Sequence, residues 1–434
     1  MPMTLTRADD LVAAMARLDA LTNWENRPRS TMRVGLEPMC DLMMRLGQPH
    51  KAFRAIHVGG TKGKGSVSAL IEAGLVRAGL RVGRYGSPHV VRINERVTVN
   101  GRDVDDATLA RALDHALDAY EDAKREGTDA AHATWFDLLT SAAFLIFRDA
   151  GLAWGVVEVG LGGRLDSTNV FDGEVAVLTN VELEHTEVLG KTRGAIAREK
   201  AGILKPGATV VTTLGVNDEA GRVAHTIANE RGCRIVRVPA DADQTIEEAN
   251  VALAGAALEA LGAKGVTTLA GKPVDASLLD ASARAAARLV GRMDRVDLAE
   301  GGARVSVVFD GAHVPFNIAR VLHDLALAPE LSGPCIAVVA LAADKDAPGF
   351  VGELGRKASH LVFTDLPSSN RGRPAKELAA LAASLGLKAE SEPDPERAFN
   401  HALSLATRKG AWLLVTGSLY LVGALRTGAT GPHL

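Results

Sequence analysis

The stretch GTKGKGS, residues 60–66, lies between the apolar run FRAIHVG (53–59) and the helix-like VSALIEAGLVRAGL (67–80). Three glycines in seven residues weaken any regular element, so the stretch serves through its backbone or its cations. Where a strand hands over to a helix, successive peptide N–H groups turn into one concavity, and the helix N-terminus adds positive character. A phosphate fits there. Gly60, Thr61, Gly63 and Gly65 let the backbone approach it, Lys64 supplies charge to the β- and γ-phosphates, and Ser66 orients a phosphate or its Mg²⁺. The usual nucleotide loop has its hydroxyl directly after the lysine, whereas here Gly65 intervenes. The alternative is a flexible glycine turn with solvated lysines; the flanking strand and helix favour the phosphate cradle.

Outward from this loop, short β-branched runs alternate with alanine- and leucine-rich segments. AIHVG (55–59), WGVVEVG (154–160), VAVLTNV (175–181) and TVVTT (209–213) have the character of buried parallel strands. Helices are expected near 66–79, 105–125, 136–151 and 244–262, with an irregular stretch at 264–279. A boundary near Gly291 divides a domain of residues 1–290 from one of residues 291–434. Beyond it come strands within 303–313, 335–342, 360–366 and 411–418, and helices at 315–325, 374–386 and 395–408. The expected fold is α/β: a P-loop-type N-terminal domain with a mostly parallel sheet, plus a smaller doubly wound C-terminal domain. No repeat of 20–50 residues stands out.

Bulk properties agree. A chain of 434 residues exceeds one ordinary core. Its 47% hydrophobic and 23% charged residues are those of a folded globular protein. A net charge of -3 argues against a general polyanion-binding surface, so nucleic acid is not expected as a partner. Cys40, Cys233 and Cys335 form neither a disulfide framework nor a zinc ribbon, which fits a reducing cytoplasm. No signal-like h-region opens the chain and no run suits a membrane span, so a soluble cytoplasmic chain is expected, and a monomer is a separate expectation.

The segment from Ile56 to Gly101 resembles one family of ATP-dependent amide ligases, folylpolyglutamate synthase and dihydrofolate synthase, relatives of the Mur ligases. Further similar blocks follow in order: FDLLTSAAFLIF, VVEVGLGGRLDSTNV, EHTEVLG, IAREKAGILKPG, GRMDRV, FDGAHVPFNIARVL, ALAADKD and VTGSLYLVGALR. The resemblance implies a nucleotide-loop domain, a Rossmann-like C-terminal domain and an active site in the cleft between them. It also implies a place in folate biosynthesis and one-carbon metabolism. ATP phosphorylates a carboxylate and the α-amine of L-glutamate displaces the phosphate. Dihydropteroate and folates are the implied acceptors, with a bifunctional enzyme as the first choice and a Mur-like ligase on another acid as the second. Four positions depart from the family pattern: Lys62 for Asn, Val314 for Asn, Glu184 for Asp and Asp137 for Glu.

Several further residues carry expectations. Glu158 ends a buried strand where the crevice of an α/β sheet opens, a place that suits Mg²⁺; its plain alternative is a carboxylate paired with a structural arginine. By resemblance, His185 serves a second Mg²⁺ and Ser87 offers a metal-reaching hydroxyl, although a lone histidine or a serine before proline is more often structural. Arg198, Glu199 and Lys200 look like the solvated face of a helix; the resemblance instead makes Lys200 a carbamylated lysine that orients the second Mg²⁺. Thus Lys64, Glu158, His185 and Lys200 are the expected catalytic residues, with Ser66, Ser87, Glu158 and His185 about the metal. Asn250 is the implied adenine contact, and Arg292, Asp310 and His313 the implied C-terminal part of the nucleotide site. Trp135 and Phe136, in ATWFDLLT, are expected as an apolar wall for a pterin ring, though aromatics so placed are often core. A decayed, purely ATP-binding relative is disfavoured by the presence of Lys64 and Glu158. A NAD-dependent oxidoreductase is disfavoured because FDGAHVPFN lacks the glycine fingerprint.

Overall fold

The apolar run ahead of the glycine loop becomes the strand Arg54–Gly59, near the middle of an eight-stranded sheet in a computed structural model that describes residues 8–25, 35–241, 243–300, 302–367 and 371–430. Across this sheet the order is Arg102–Asp103, Val97–Val99, Val82–Tyr85, Trp154–Glu158, Arg54–Gly59, Gly173–Leu178, Thr209–Thr212 and Arg234–Arg237. All neighbours are parallel except at the edge formed by 97–99 and 102–103, which pairs antiparallel. Helices on both faces explain why the central strands read as continuous apolar runs: both sides are buried.

The helix Trp135–Asp149 shows how sequence builds this layer. Thr134 and Asp137 form a reciprocal cap at its start, and most of its residues are buried. Phe144 and Phe147 pack with Phe53 at ring separations of 5.7 and 5.3 Å, and Phe144 with Phe171 at 5.9 Å. Fully burying one such side chain contributes roughly 1.5–3 kcal/mol, so this aromatic cluster is a principal anchor of helix to sheet. Asp105 caps the helix Asp106–Glu126, and Gly127 ends it in the left-handed conformation.

A second compact unit comprises 288–434 together with the short strip 90–93; the first comprises 1–89 and 94–287. The second unit holds a six-stranded sheet ordered Ala389–Ser391, Ala358–Phe363, Cys335–Val339, Trp412–Thr416, Ala303–Phe309 and Asp294–Glu300. Its strands are parallel apart from Asp294–Glu300. The main strands and helices expected from sequence are present within a few residues. The strands Val82–Tyr85, Arg234–Arg237, Asp294–Glu300 and Ala389–Ser391 carry no comparable sequence signal. The last three are edge strands with exposed residues in their burial patterns, and only four residues long or fewer in two cases. Among the described residues, no helix is long and apolar enough to cross a membrane.

Candidate active site at the C-terminal edge of the sheet

Four segments leave the same edge of the eight-stranded sheet side by side. Strand Val82–Tyr85 runs into Gly86 and Ser87; Trp154–Glu158 ends on Glu158; Arg54–Gly59 opens into the glycine loop; and Gly173–Leu178 leads to 179–185. Register makes this adjacency concrete, with Tyr85 beside Val157, Val58 beside Glu158 and Gly59 beside Leu178. Parallel strands place all these exits on one rim, where α/β sheets bind ligands.

The glycine loop has the conformation its composition requires. Gly60 and Gly63 have φ of +140° and +83°, and the helix Lys64–Arg77 begins directly after Gly63. A β-carbon on Gly60 would collide with the hydroxyl of Thr179, and one on Gly63 would lie 2.7 Å from Oδ1 of Asn250. Asn250, buried in the helix Ile246–Ala263, therefore stands against the loop. Residues Lys62 to Ser66 are only half-buried, leaving the helix N-terminus and its lysine accessible to an anion. The loop is also stitched to the neighbouring exit. Thr61 N–H donates to Asn180 O (2.8 Å), Lys62 N–H donates to Asn180 Oδ1 (2.9 Å), and Thr179 Oγ1 donates to Lys62 O (2.6 Å).

Lys200 ends the helix Arg193–Lys200, but its side chain points inward rather than to solvent. It is 5% exposed and its ammonium donates to the carbonyl of Gly60 at 2.7 Å. Burial, aided by the nearby charge of Lys64, pulls its pKa down to about 7 from the ordinary 10.5. The expectation of a solvated helix face is corrected for this residue: the face carrying Ile196, Ala197 and Lys200 is buried. Periodicity alone shows no reason for a lysine there.

Glu158 is buried, and one carboxylate oxygen accepts the N–H of Ser87 at 3.2 Å. This backbone contact joins two of the residues expected around the metal. His185 takes the left-handed conformation, φ 54°, at the start of a short helix, Thr186–Leu189. Among the described residues no three His, Cys, Asp or Glu side chains converge as a complete metal cage. A buried carboxylate at the strand end, in contact with the Ser87 backbone, still fits Mg²⁺, which keeps several waters and takes phosphate oxygens of its substrate. It does not fit a tightly held structural zinc, for which more soft ligands are required.

The two aromatic residues expected as a pterin wall differ in placement. Trp135 is buried, its indole N–H donates to Asp19 Oδ1 at 2.8 Å, and the Arg96 guanidinium lies 4.9 Å from its ring centre. Both its edge and a face are thus engaged within the protein. Phe136 is half-buried and lies against Gly160, where a β-carbon would come within 2.6 Å of the ring. It borders the segment that follows Glu158. Asp137 serves the local structure by accepting bonds from Thr134 N–H (2.8 Å) and from Ser167 Oγ (2.6 Å).

In the second unit Arg292 precedes the strand Asp294–Glu300 and Asp310 and His313 follow the paired strand Ala303–Phe309, so the two segments adjoin. Asp310 accepts from Met293 N–H and from Ala312 N–H, each at 2.9 Å, and His313 Nδ1 lies 2.9 Å from the carbonyl of Gly311. A β-carbon on Gly311 would be 3.3 Å from the Arg292 guanidinium. Asp310 thereby supports Met293, whose φ of 51° is unusual for a residue with a side chain.

Sequence reasoning missed Asp166, buried below this rim. It accepts from Leu161 N–H (2.7 Å) and from Thr168 Oγ1 (2.5 Å), while Thr168 Oγ1 meets His57 Nε2 at 2.9 Å. The only signal was its place in GGRLDSTN, two glycines and a turn after Glu158. The residues that stitch the loop, Thr179 and Asn180, were likewise visible only as the polar end of a strand.

Comparison with known proteins agrees with this architecture. The Mur ligase middle domain matches residues 58–261, and the Mur ligase glutamate ligase domain matches residues 291–419. Folylpolyglutamate synthase of Lacticaseibacillus casei is 32% identical over 415 residues, covering 90% of this chain and 93% of that protein. The structure of E. coli FolC in complex with DHPP and ADP superposes with a TM-score of 0.80 at 28% identity, covering 99% of both chains. A bifunctional folylpolyglutamate synthase/dihydrofolate synthase from Yersinia pestis, complexed with AMPPNP and Mn ion, gives 0.78 at 27% identity, again over 99% of each chain. With its glycine loop, its buried Lys200 and these full-length likenesses, the chain belongs to the folylpolyglutamate synthase and dihydrofolate synthase family of Mur-type ligases.

Proposed function

We propose that this protein joins the α-amine of L-glutamate to a carboxylate of dihydropteroate or of a reduced folate, consuming ATP. The observation that carries the reading is the convergence of the glycine loop, Glu158 and Ser87 on one sheet edge, with Lys200 hydrogen-bonded to the loop itself. The E. coli relative binds DHPP and ADP, and the Yersinia pestis relative binds AMPPNP, which supports the same ligand classes here.

The carboxylate oxygen of the acceptor attacks the γ-phosphorus of ATP, the bond to the β,γ-bridging oxygen breaks, and ADP leaves. The resulting acyl phosphate is attacked at its carbonyl carbon by the neutral amine of glutamate. Phosphate then leaves, and the nitrogen loses a proton. Both early reactants are anions, so the site must concentrate positive charge. Lys64 and the peptide N–H groups that open the helix Lys64–Arg77 bind the phosphates. Glu158 with Ser66 and Ser87 would hold Mg²⁺, with His185 for a second ion, and the metal would supply charge neutralisation for the phosphates. Asn250, against the loop, orients the base. Phe136 borders the acceptor ring.

Lys200 has a separate role in this reading. With a pKa of about 7 a substantial fraction of its amine is neutral at physiological pH. The neutral amine adds to CO₂, forming an N–C bond and releasing one proton, and so exchanges a cation for a carboxylate-like donor. Carbamylation is followed by the mass of one added CO₂ in bicarbonate, trapped before acidification. The enzyme acts as a cytoplasmic monomer, and sedimentation of the purified chain tests its oligomeric state.

The deciding experiment measures ADP release with dihydropteroate or tetrahydrofolate plus glutamate, each omitted in turn, with mass spectrometry of the product. Glutamylated product with both acceptors supports dual specificity. ATP turnover only with an acceptor that is not a pteridine would assign the site to a different amide ligase.

A further inference from the structure

Lys62 is anchored at both ends of its own backbone, through its N–H to Asn180 Oδ1 and through its carbonyl to Thr179 Oγ1. Its side chain therefore starts from a fixed point. From there the ammonium reaches Oε1 of Glu184 at 2.8 Å, with side-chain exposures of 20% and 11%. Glu184 is the residue immediately before His185, whose backbone is in the left-handed region. Between the two anchors, Glu182 N–H donates to Thr61 Oγ1 at 3.0 Å, so the segment 179–184 follows the loop along its length.

Three lysines surround this one loop and have different surroundings. Lys200 is bonded to Gly60 O, Lys62 is paired with Glu184, and among the described residues Lys64 makes only a long 3.5 Å approach to Thr61 O. A cation already matched by a carboxylate has less net charge to offer a phosphate. A pair mostly sheltered from solvent, on backbone fixed at several points, loses little further entropy in keeping its geometry.

We infer that Lys62 and Glu184 are a positioning pair, an ionic clamp that holds the phosphate loop against the segment bearing His185, leaving Lys64 as the phosphate-binding cation. The inference rests on the assignment of the loop as the nucleotide site. Neither residue touches the reacting atoms in this role; together they set the loop's shape before nucleotide arrives, which raises affinity by preorganisation.

The test is calorimetric binding of AMPPNP with Mg²⁺ to the full chain and to Lys62→Met, Lys62→Arg, Glu184→Gln and the Lys62→Met/Glu184→Gln double variant. The clamp predicts about tenfold weaker binding for Lys62→Met and for Glu184→Gln, with the double variant no weaker than either by more than about threefold. Lys62→Arg, which keeps the charge, stays within about threefold of the parent. Glu184→Gln conserves shape, so it gives a reading in a folded protein even if Lys62→Met does not. Losses that add in the double variant overturn the inference, as does unchanged or tighter binding by Glu184→Gln, the outcome if Lys62 itself grips phosphate. Lys64→Ala separates the two levels: if it retains full nucleotide binding, the site assignment itself fails, whereas its loss alongside uncoupled Lys62 and Glu184 sinks only the clamp.

Discussion

The ammonium of Lys200 donates to the carbonyl of Gly60 across 2.7 Å, joining the end of one helix to the first glycine of the glycine loop. Because folding lowers its pKa from 10.5 to about 7, the unfolded chain binds more protons between those values. Stability should therefore rise with pH in that window, by up to about 1.4 kcal/mol per unit from this residue. Lys200→Met removes this dependence: in CO₂-free buffer its stability relative to the parent is greatest at or below pH 7 and declines toward pH 10. Chemical denaturation of both proteins across that range measures it. Lys200→Ala should also lose ligase activity, and full activity would refute its catalytic role.

Gly60→Ala should be severely disruptive. Its β-carbon would strike Thr179 Oγ1, at a φ of +140° that side chains rarely adopt. A loss of about 3 kcal/mol or more in unfolding free energy is expected, with loss of nucleotide binding. Gly207→Ala is the matched control: its φ is +72° but nothing lies within 4 Å of the added carbon, so only the backbone cost of about 1 kcal/mol remains.

Glu158→Gln keeps the shape of a buried side chain that accepts the Ser87 N–H. It should lower kcat by about a hundredfold or more while leaving thermal unfolding close to the parent. Raising Mg²⁺ should recover part of the loss; steady-state assays over a metal titration decide this.

The contrasting burial of adjacent aromatics predicts contrasting phenotypes. Trp135→Phe deletes the bond to Asp19 and weakens the stacking of Arg96, at a cost of about 2 kcal/mol in stability without a change in acceptor KM. Phe136→Ala should raise acceptor KM several-fold more than it raises the KM for ATP. Equal effects on both KM values would remove Phe136 from the acceptor site.

His57 is wholly buried between strands, its ring tilted against Phe171 with centroids 4.7 Å apart, and desolvation pulls its pKa down to about 3. Since Thr168 Oγ1 donates onward to Asp166, its contact with His57 Nε2 is one in which the ring N–H donates and the neutral imidazole is retained. Below its ordinary 6.5 the unfolded chain takes up a proton that the fold refuses, so stability falls with pH toward 3. At pH 5 the residue's share of that loss is about 2 kcal/mol. His57→Gln should flatten this part of the acid unfolding profile, as followed by circular dichroism.

The order of residues along the chain was sufficient for the glycine turn between strand and helix, the alternation of strand and helix, and the placement of Glu158 at a strand end. Each of these is local: a glycine pattern, an apolar period, or a position within one run. The family likeness in successive blocks also belongs wholly to sequence. Tertiary structure alone decided which way side chains face and what they meet. Lys200 is charged and sits in a helix of charged neighbours, yet it reaches a backbone carbonyl 140 residues away in the chain. Trp135 and Phe136 are neighbours with similar chemistry, but a helix turns them by about a hundred degrees, so one enters the core and the other borders the rim. Lys62 and Glu184 gain a shared role only because parallel strands bring residues 122 apart onto one edge. Pairings over such distances depend on strand order and register, which no local pattern of residues contains.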